Sequence, residues 1–101
     1  MKTVHKFRLE CGSALNSLKL RKGFRLVHSE YLVTEKAVFV WVEVPLDLSL
    51  PEIQLKLRVF GTGEAIPRHF TYMSSAVDGF GPEAYHIYSL EAQDLVMGQV
   101  A

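Results

Sequence analysis

Residues 37 to 44 read AVFVWVEV, and this stretch decides the fold class. Almost every residue in it is β-branched or aromatic, which favours a β-strand. Side chains alternate between the two faces of a strand, so Phe39 and Trp41 share one face and the four valines share the other. A strand that is apolar on both faces belongs in the centre of a sheet, with its second face covered by the core or by a partner.

The rest of the chain adds strands that have one polar face. Thr3 to Cys11 and Ile53 to Phe60 alternate apolar with polar side chains, which is typical of a strand with one side in water. Weaker strand patterns, separated by turn residues, follow at 16–21, 24–33, 69–77 and 84–90. The sequence therefore predicts one mainly β domain over residues 1–91, a small antiparallel β-barrel or β-sandwich of six to seven strands. Residues 92–101 are predicted to form a short C-terminal tail, either frayed or as a short helix.

The composition narrows the setting in which the protein works. The chain has eleven basic and eleven acidic residues, so its formal net charge is zero and it has no overall attraction to nucleic acid or anionic membranes. Zero net charge also makes self-association easier. The single cysteine, Cys11, cannot form an internal disulfide and continues an apolar strand face, so we expect a small buried residue there. No apolar stretch spans a bilayer and the start has no signal-peptide pattern, so we expect a cytoplasmic protein.

Gly61, Thr62 and Gly63 follow a strand and invite comparison with a phosphate-binding loop. Such a loop holds its anion with successive backbone N–H groups and the start of a helix. Here no third glycine follows, and Pro67 leads into another strand. A tight turn is therefore the favoured interpretation, and small-ligand or nucleotide binding by these three residues is kept as an alternative.

No pattern of catalytic or metal-binding residues stands out. The four histidines lie on four different predicted strands without the short spacings of structural zinc sites. No serine lies in a nucleophile turn, and the carboxylates are scattered. We therefore expect no catalytic site, no metal and no cofactor, and a protein that is not an enzyme.

Nucleic-acid binding is the first alternative function. Small β-barrels bind single strands with exposed aromatic side chains beside a basic groove. Tyr72 and Tyr85 supply the aromatic rings. The basic residues could equally well belong to a solvated strand edge, where lysine and arginine prevent aggregation. The basic candidates are Lys6, Arg8, Lys19 and Arg21.

Protein binding is favoured by the excess apolar surface of residues 37–44. Tryptophan and tyrosine are the residues that most often anchor protein interfaces. A homodimer is expected if one face of this strand is left outward. The predicted partner-binding residues are Phe39, Trp41, Tyr72, Tyr85 and Tyr88.

Three segments carry a family resemblance: MKTVHKFRL at the start, LRVFGTGEAIP at residues 57–67 and YHIYSLE at residues 85–91. The chain resembles an uncharacterised family of small proteins encoded by bacteriophages and prophages. That resemblance implies a viral protein in the cytoplasm of a host bacterium, and no family activity, cofactor or catalytic residue comes with it. By analogy with compact phage accessory proteins, the leading hypothesis is a non-enzymatic protein that binds a host protein, such as a component of bacterial defence.

Overall fold

The computed structural model describes residues 1–90, which form seven β-strands. The predicted tail at residues 92–101 lies outside the described residues. The strands are β1 (Lys2–Leu9), β2 (Asn16–Arg21), β3 (Arg25–Leu32), β4 (Ala37–Pro45), β5 (Glu52–Gly61), β6 (Phe70–Val77) and β7 (Ala84–Leu90). The mainly β prediction is confirmed.

The strands form two antiparallel sheets, one of three strands in the order β1-β4-β3 and one of four in the order β2-β5-β7-β6. The sheets do not close on one another, so of the two predicted architectures the structure is a β-sandwich and not a barrel. Each sheet has two edge strands, and β3 and β6 approach one another where the sheets meet.

The core lies between the sheets and follows the alternation of the strands. From β4 it takes the four valines, which are at most 7% exposed, and from β5 it takes Leu57 and Val59. The other large side chains of the core are Leu9, Leu18, Leu20 and Ile87. The strand AVFVWVEV is central in its sheet, as predicted, and its second face points away from this core.

The prediction that Cys11 is buried is wrong. Strand β1 ends at Leu9, which is fully buried, and the chain then leaves the sheet. Cys11 lies beyond the end of β1, so the alternation of side chains along that strand does not turn it towards the core. Its thiol is exposed.

The strand pairing shifts its register at two places, on the two strands that border the junction of the sheets. The pairing of β3 with β4 shifts between Leu26 and His28, and the pairing of β6 with β7 shifts between Tyr72 and Ser74. An extra residue of this kind changes which side chains share a face. Because of the second shift, Tyr72 and Ser75 both lie on the outer side of β6 although their numbers differ by three.

Candidate interaction surface

The outer face of the three-stranded sheet carries Phe39 and Trp41. Phe39 is only 8% exposed, and Trp41 is half-buried. The ammonium of Lys6 lies 4.6 Å from the centre of the Phe39 ring and 5.6 Å from that of Trp41. The His28 ring packs on the other side of Trp41, with the ring centres 5.2 Å apart. The second apolar face of β4 is therefore covered by side chains of its own sheet.

The charges on this same face are balanced by short ion pairs. Lys2 pairs with Glu43 at 3.3 Å, and Arg8 pairs with Glu10 at 3.3 Å and with Glu35 at 3.6 Å. Exposed pairs of this kind add little stability. They do remove the excess positive charge that an acidic partner would recognise.

The outer face of the four-stranded sheet holds a cluster of four aromatic rings, which we call the aromatic face: Phe60, Phe70, Tyr72 and Tyr88. Phe60 meets Phe70 and Tyr88 edge to face, with ring centres 5.4 and 5.5 Å apart. The guanidinium of Arg58 lies 4.3 Å from the Phe60 ring centre. Phe60 is fully buried by these neighbours although it lies outside the core between the sheets.

Tyr72 is the exposed member of the aromatic face. Its ring stands edge-on to Tyr88 with centres 5.5 Å apart, and the residue is 54% exposed. Tyr72 and Tyr88 are paired directly across β6 and β7. Two of the five predicted partner-binding residues therefore lie together.

A chain of hydrogen bonds fixes the Tyr72 hydroxyl. Tyr72 Oη lies 2.8 Å from Ser75 Oγ, Ser75 Oγ lies 2.9 Å from His86 Nδ1, and His86 Nε2 lies 2.9 Å from Thr62 Oγ1. We call these four residues the hydroxyl relay. It crosses three strands, because Thr62 follows β5, His86 lies on β7 and Ser75 lies on β6.

The last member of the hydroxyl relay sets the direction of the others. The Thr62 hydroxyl also reaches the Ala84 carbonyl at 3.5 Å, to which it can only donate. Thr62 then accepts from the Nε2–H of His86, which leaves His86 Nδ1 to accept from Ser75. Ser75 in turn accepts from Tyr72. Every hydroxyl in the relay is thus used once as a donor.

The turn at Gly61, Thr62 and Gly63 already holds an anion of its own. Gly63 has a φ of 89°, and the N–H of Glu64 closes the turn by donating to the Gly61 carbonyl at 3.1 Å. The Glu64 carboxylate accepts from the Gly61 N–H and from Arg58, each at 2.9 Å. A phosphate at these donors would have to displace an internal carboxylate, so the geometry supports the tight turn.

Tyr85 lies apart from the aromatic face. It occupies the core side of β7 and stacks on Tyr31, with ring centres 4.7 Å apart and planes 18° from parallel. Burial raises the pKa of Tyr85, and the neighbouring Tyr31 raises it further. The two tyrosines seal the junction between the sheets at the start of β7.

The four basic residues considered for nucleic acid do not form one groove. Lys6 and Arg8 lie on the outer face of the three-stranded sheet, where they contact aromatic rings and carboxylates. Lys19 and Arg21 belong to β2 in the other sheet, and Arg21 donates to the Leu50 carbonyl at 3.0 Å. The two pairs therefore lie on different sheets.

Sequence reasoning did not single out Ser75, His86 or Phe60 as site residues. The shared parity of His86 and Tyr88 is visible in the sequence. Their meeting with Ser75 and Thr62 depends on the register of β6, β7 and β5 and on the irregularity after Tyr72. Pairing register is a property of the folded sheet that no single strand pattern reveals.

Two general features complete the description of residues 1–90. Within that range, no three histidine, cysteine, aspartate or glutamate side chains come together in a way that would hold a metal ion. The same residues contain no helix that is long and apolar enough to cross a membrane.

The comparisons with known proteins give one match. A family model described as a domain of unknown function (DUF7352) matches residues 1–96. The comparisons with curated proteins and with solved structures give no match.

Proposed function

The chain belongs to the DUF7352 family of domains of unknown function, and we propose that it is a non-enzymatic binding module that holds a protein partner on its aromatic face. One observation carries the proposal: Tyr72 is more than half exposed, while the hydroxyl relay and the edge of Tyr88 fix its side chain. Tyrosine supplies a large, rigid contact area and loses little conformational entropy on binding.

The residues around Tyr72 suit a protein interface. Aromatic and arginine side chains are enriched in interfaces, and the energetically dominant ones lie in well-packed surroundings. Tyr88 and Phe60 form that packed support, and Arg58 lies at its border. The face of Phe39 and Trp41 supports the proposal less, because Lys6 and His28 already cover it.

The Ser75 and His86 pair superficially resembles a nucleophile and its base. A catalytic serine works with a histidine that is oriented by a third group, usually a carboxylate, and with donors for an oxyanion. Here the third group is the Thr62 hydroxyl, and the Ser75 oxygen accepts from Tyr72. The relay therefore supports a structural role, which is why the proposal is non-enzymatic.

The wider setting is part of the same proposal. We take the protein to be phage-encoded and to act in the bacterial cytoplasm, with a host protein, such as a defence component, as the partner. Self-association would place more than one aromatic face on one particle and raise the avidity for a multivalent partner.

The experiment that tests the proposal compares two variants with equally exposed sites. The chain is immobilised and host proteins captured from a bacterial lysate are identified, after which their affinity for each variant is measured. Tyr72→Ala should lower the affinity for the captured protein at least tenfold, as expected for a dominant interface residue. Val4→Ser is the matched control, because Val4 is 50% exposed on the opposite sheet. Equal affinity of both variants for every captured protein would contradict the proposal.

Binding of single-stranded nucleic acid is the second candidate, and one observation favours it. Lys19, Lys56 and Arg58 lie on the outer side of the same sheet as Tyr88, beside the aromatic face. Such binding would weaken steeply with added salt as counterions are released. Nucleic-acid binding would be favoured over a protein partner if the wild type retains an oligonucleotide at low salt and Lys56→Ala does not.

A further inference from the structure

The two ends of the sandwich carry opposite charges. The acidic end consists of the β3–β4 turn, the β6–β7 loop and the strand ends beside them. Among residues 1–90 it holds six carboxylates against three cations: Glu10, Glu30, Glu35, Glu64, Asp78 and Glu83 against Arg8, Lys36 and Arg58. The basic end consists of the first residues of the chain, the β2–β3 turn, the β4–β5 connection and the strand ends beside them. Among residues 1–90 it holds five cations against three carboxylates: Lys2, Lys19, Arg21, Lys22 and Arg25 against Glu43, Asp47 and Glu52.

The zero net charge of the chain therefore conceals a separation of charge along the strands. Charge complementarity steers association and selects the orientation of the partners. Two copies that meet with their acidic ends repel one another, and so do two basic ends. A head-to-tail arrangement brings opposite charges together.

The acidic end also presents an apolar projection. Phe80 is 90% exposed at the tip of the β6–β7 loop, and Val77 beside it is 64% exposed. The loop is held in shape, because the Phe80 N–H donates to Asp78 Oδ1 at 2.9 Å and the Asp78 N–H donates to the Glu83 carbonyl at 3.0 Å. A large apolar side chain on an ordered tip is a pre-organised anchor.

The basic end presents a cleft that suits this projection. The cleft has a volume of about 210 Å³, and its lining includes Pro45, Leu46 and Leu48 together with Lys19, Arg21 and Glu52. Leu48 is 80% exposed and lies in the β4–β5 connection. Asp47 Oδ1 holds this connection in shape, because it accepts from the Ser49 N–H at 2.9 Å and from the Ser49 hydroxyl at 2.6 Å. An enclosed apolar cavity of about 150 Å³ accommodates a benzene molecule, so the cleft has room for a phenyl ring.

We infer that the acidic end of one copy binds the basic end of a second copy, with Phe80 seated against Leu46 and Leu48. The contact is heterologous, so both ends of every copy are used. Contacts of this type generate closed rings or open filaments rather than a symmetric pair. Neither Phe80 nor the lining of the cleft belongs to the aromatic face, so the exposed Tyr72 is not part of this contact.

Sedimentation of the full chain tests this with complementary variants. The average mass of the wild type should rise with protein concentration and fall as salt is added, since salt screens the end charges. Phe80→Ser removes the projection, and the double variant Leu46→Ser/Leu48→Ser removes the apolar wall of the cleft. Each variant alone should be monomeric, and an equal mixture of the two should give a dimer that grows no further, because each supplies the end that the other lacks.

Val27→Ser is the control, since Val27 is 40% exposed on the side of the sandwich and away from both ends. It should associate like the wild type, and circular dichroism should show that all variants fold. A wild type that stays monomeric at every concentration overturns the inference. A mixture that stays monomeric while the wild type associates also overturns it, because the two intact ends then fail to bind one another. Tyr72→Ala should leave self-association unchanged, which separates this result from that of the partner experiment.

Discussion

Ser29 on β3 and Ser74 on β6 face one another across the two sheets, with their hydroxyl oxygens 2.6 Å apart. Ser29 donates to the Ser75 carbonyl at 2.9 Å, so the Ser74 hydroxyl is left to donate to Ser29. Ser29 is 9% exposed, and this pair of bonds is a polar clasp at the place where the sheets meet. It also fixes the backbone of Ser75, whose side chain belongs to the hydroxyl relay.

The first prediction concerns this clasp. Ser29→Ala removes a hydroxyl and leaves the Ser75 carbonyl and the Ser74 hydroxyl without their partner, which costs about 1–3 kcal/mol of unfolding free energy. Urea unfolding followed by Trp41 fluorescence measures the change. Ser17→Ala, at an exposed position on β2, should change stability by less than about 0.5 kcal/mol. Equal stability of the two variants would show that the clasp contributes nothing.

Much of the fold could be predicted from the strand patterns. The period of two in residues 53–60 assigned Leu55, Leu57 and Val59 to one face, and that face is the core. The same period cannot say where a strand ends, which is why Cys11 was expected to be buried. It also cannot tell what covers the second face of residues 37–44, because Lys6 and His28 reach that face only through the pairing of β1 and β3 with β4.

The candidate site was only partly predictable for the same reason. Tyr72 and Tyr88 were expected to be binding residues, and their direct pairing follows from the antiparallel register of β6 and β7. Tyr85 was grouped with them because it is also aromatic, yet its parity on β7 is opposite to that of Tyr88, and it packs against the core. Composition identifies candidate side chains, whereas register decides which of them meet.

The second prediction concerns Phe60, which is fully buried although it lies on the outer side of its sheet. Phe60→Ala removes the ring that Phe70, Tyr88 and Arg58 cover, so it should cost about 3–5 kcal/mol, as in an interior core. Leu48→Ala should cost less than about 0.5 kcal/mol, because Leu48 is 80% exposed. Chemical unfolding of both variants gives the comparison. A loss below about 1 kcal/mol for Phe60→Ala would mean that the aromatic face is loosely packed.

The third prediction concerns the alkaline limit of stability. The pKa of Tyr85 is raised above that of a free tyrosine, chiefly by burial. The folded state therefore keeps the Tyr85 proton at a pH where the unfolded state loses it, and deprotonation favours unfolding. The contribution is complete below the unfolded pKa of about 10 and is lost as the pH rises through the higher folded value. Unfolding free energies measured from pH 8 to 11 should fall less steeply for Tyr85→Phe than for the wild type. Identical slopes for the two proteins would contradict the assignment.

The fourth prediction concerns the direction of the hydroxyl relay. Because Thr62 donates to the Ala84 carbonyl, His86 should be protonated on Nε2 and should accept from Ser75 at Nδ1. Long-range proton–nitrogen NMR at pH 8 distinguishes the two ring nitrogens directly. Thr62→Val removes the acceptor of the Nε2 proton and should shift His86 towards the other tautomer, in which Nδ1 donates to Ser75. The exposed His5 serves as the internal control and should show the same tautomer mixture in both proteins. A wild-type His86 that carries its proton on Nδ1 would contradict this direction: Nδ1–H would then donate to Ser75, and Ser75 would donate to the Tyr72 oxygen, so the bond between Tyr72 and Ser75 would persist in the opposite sense.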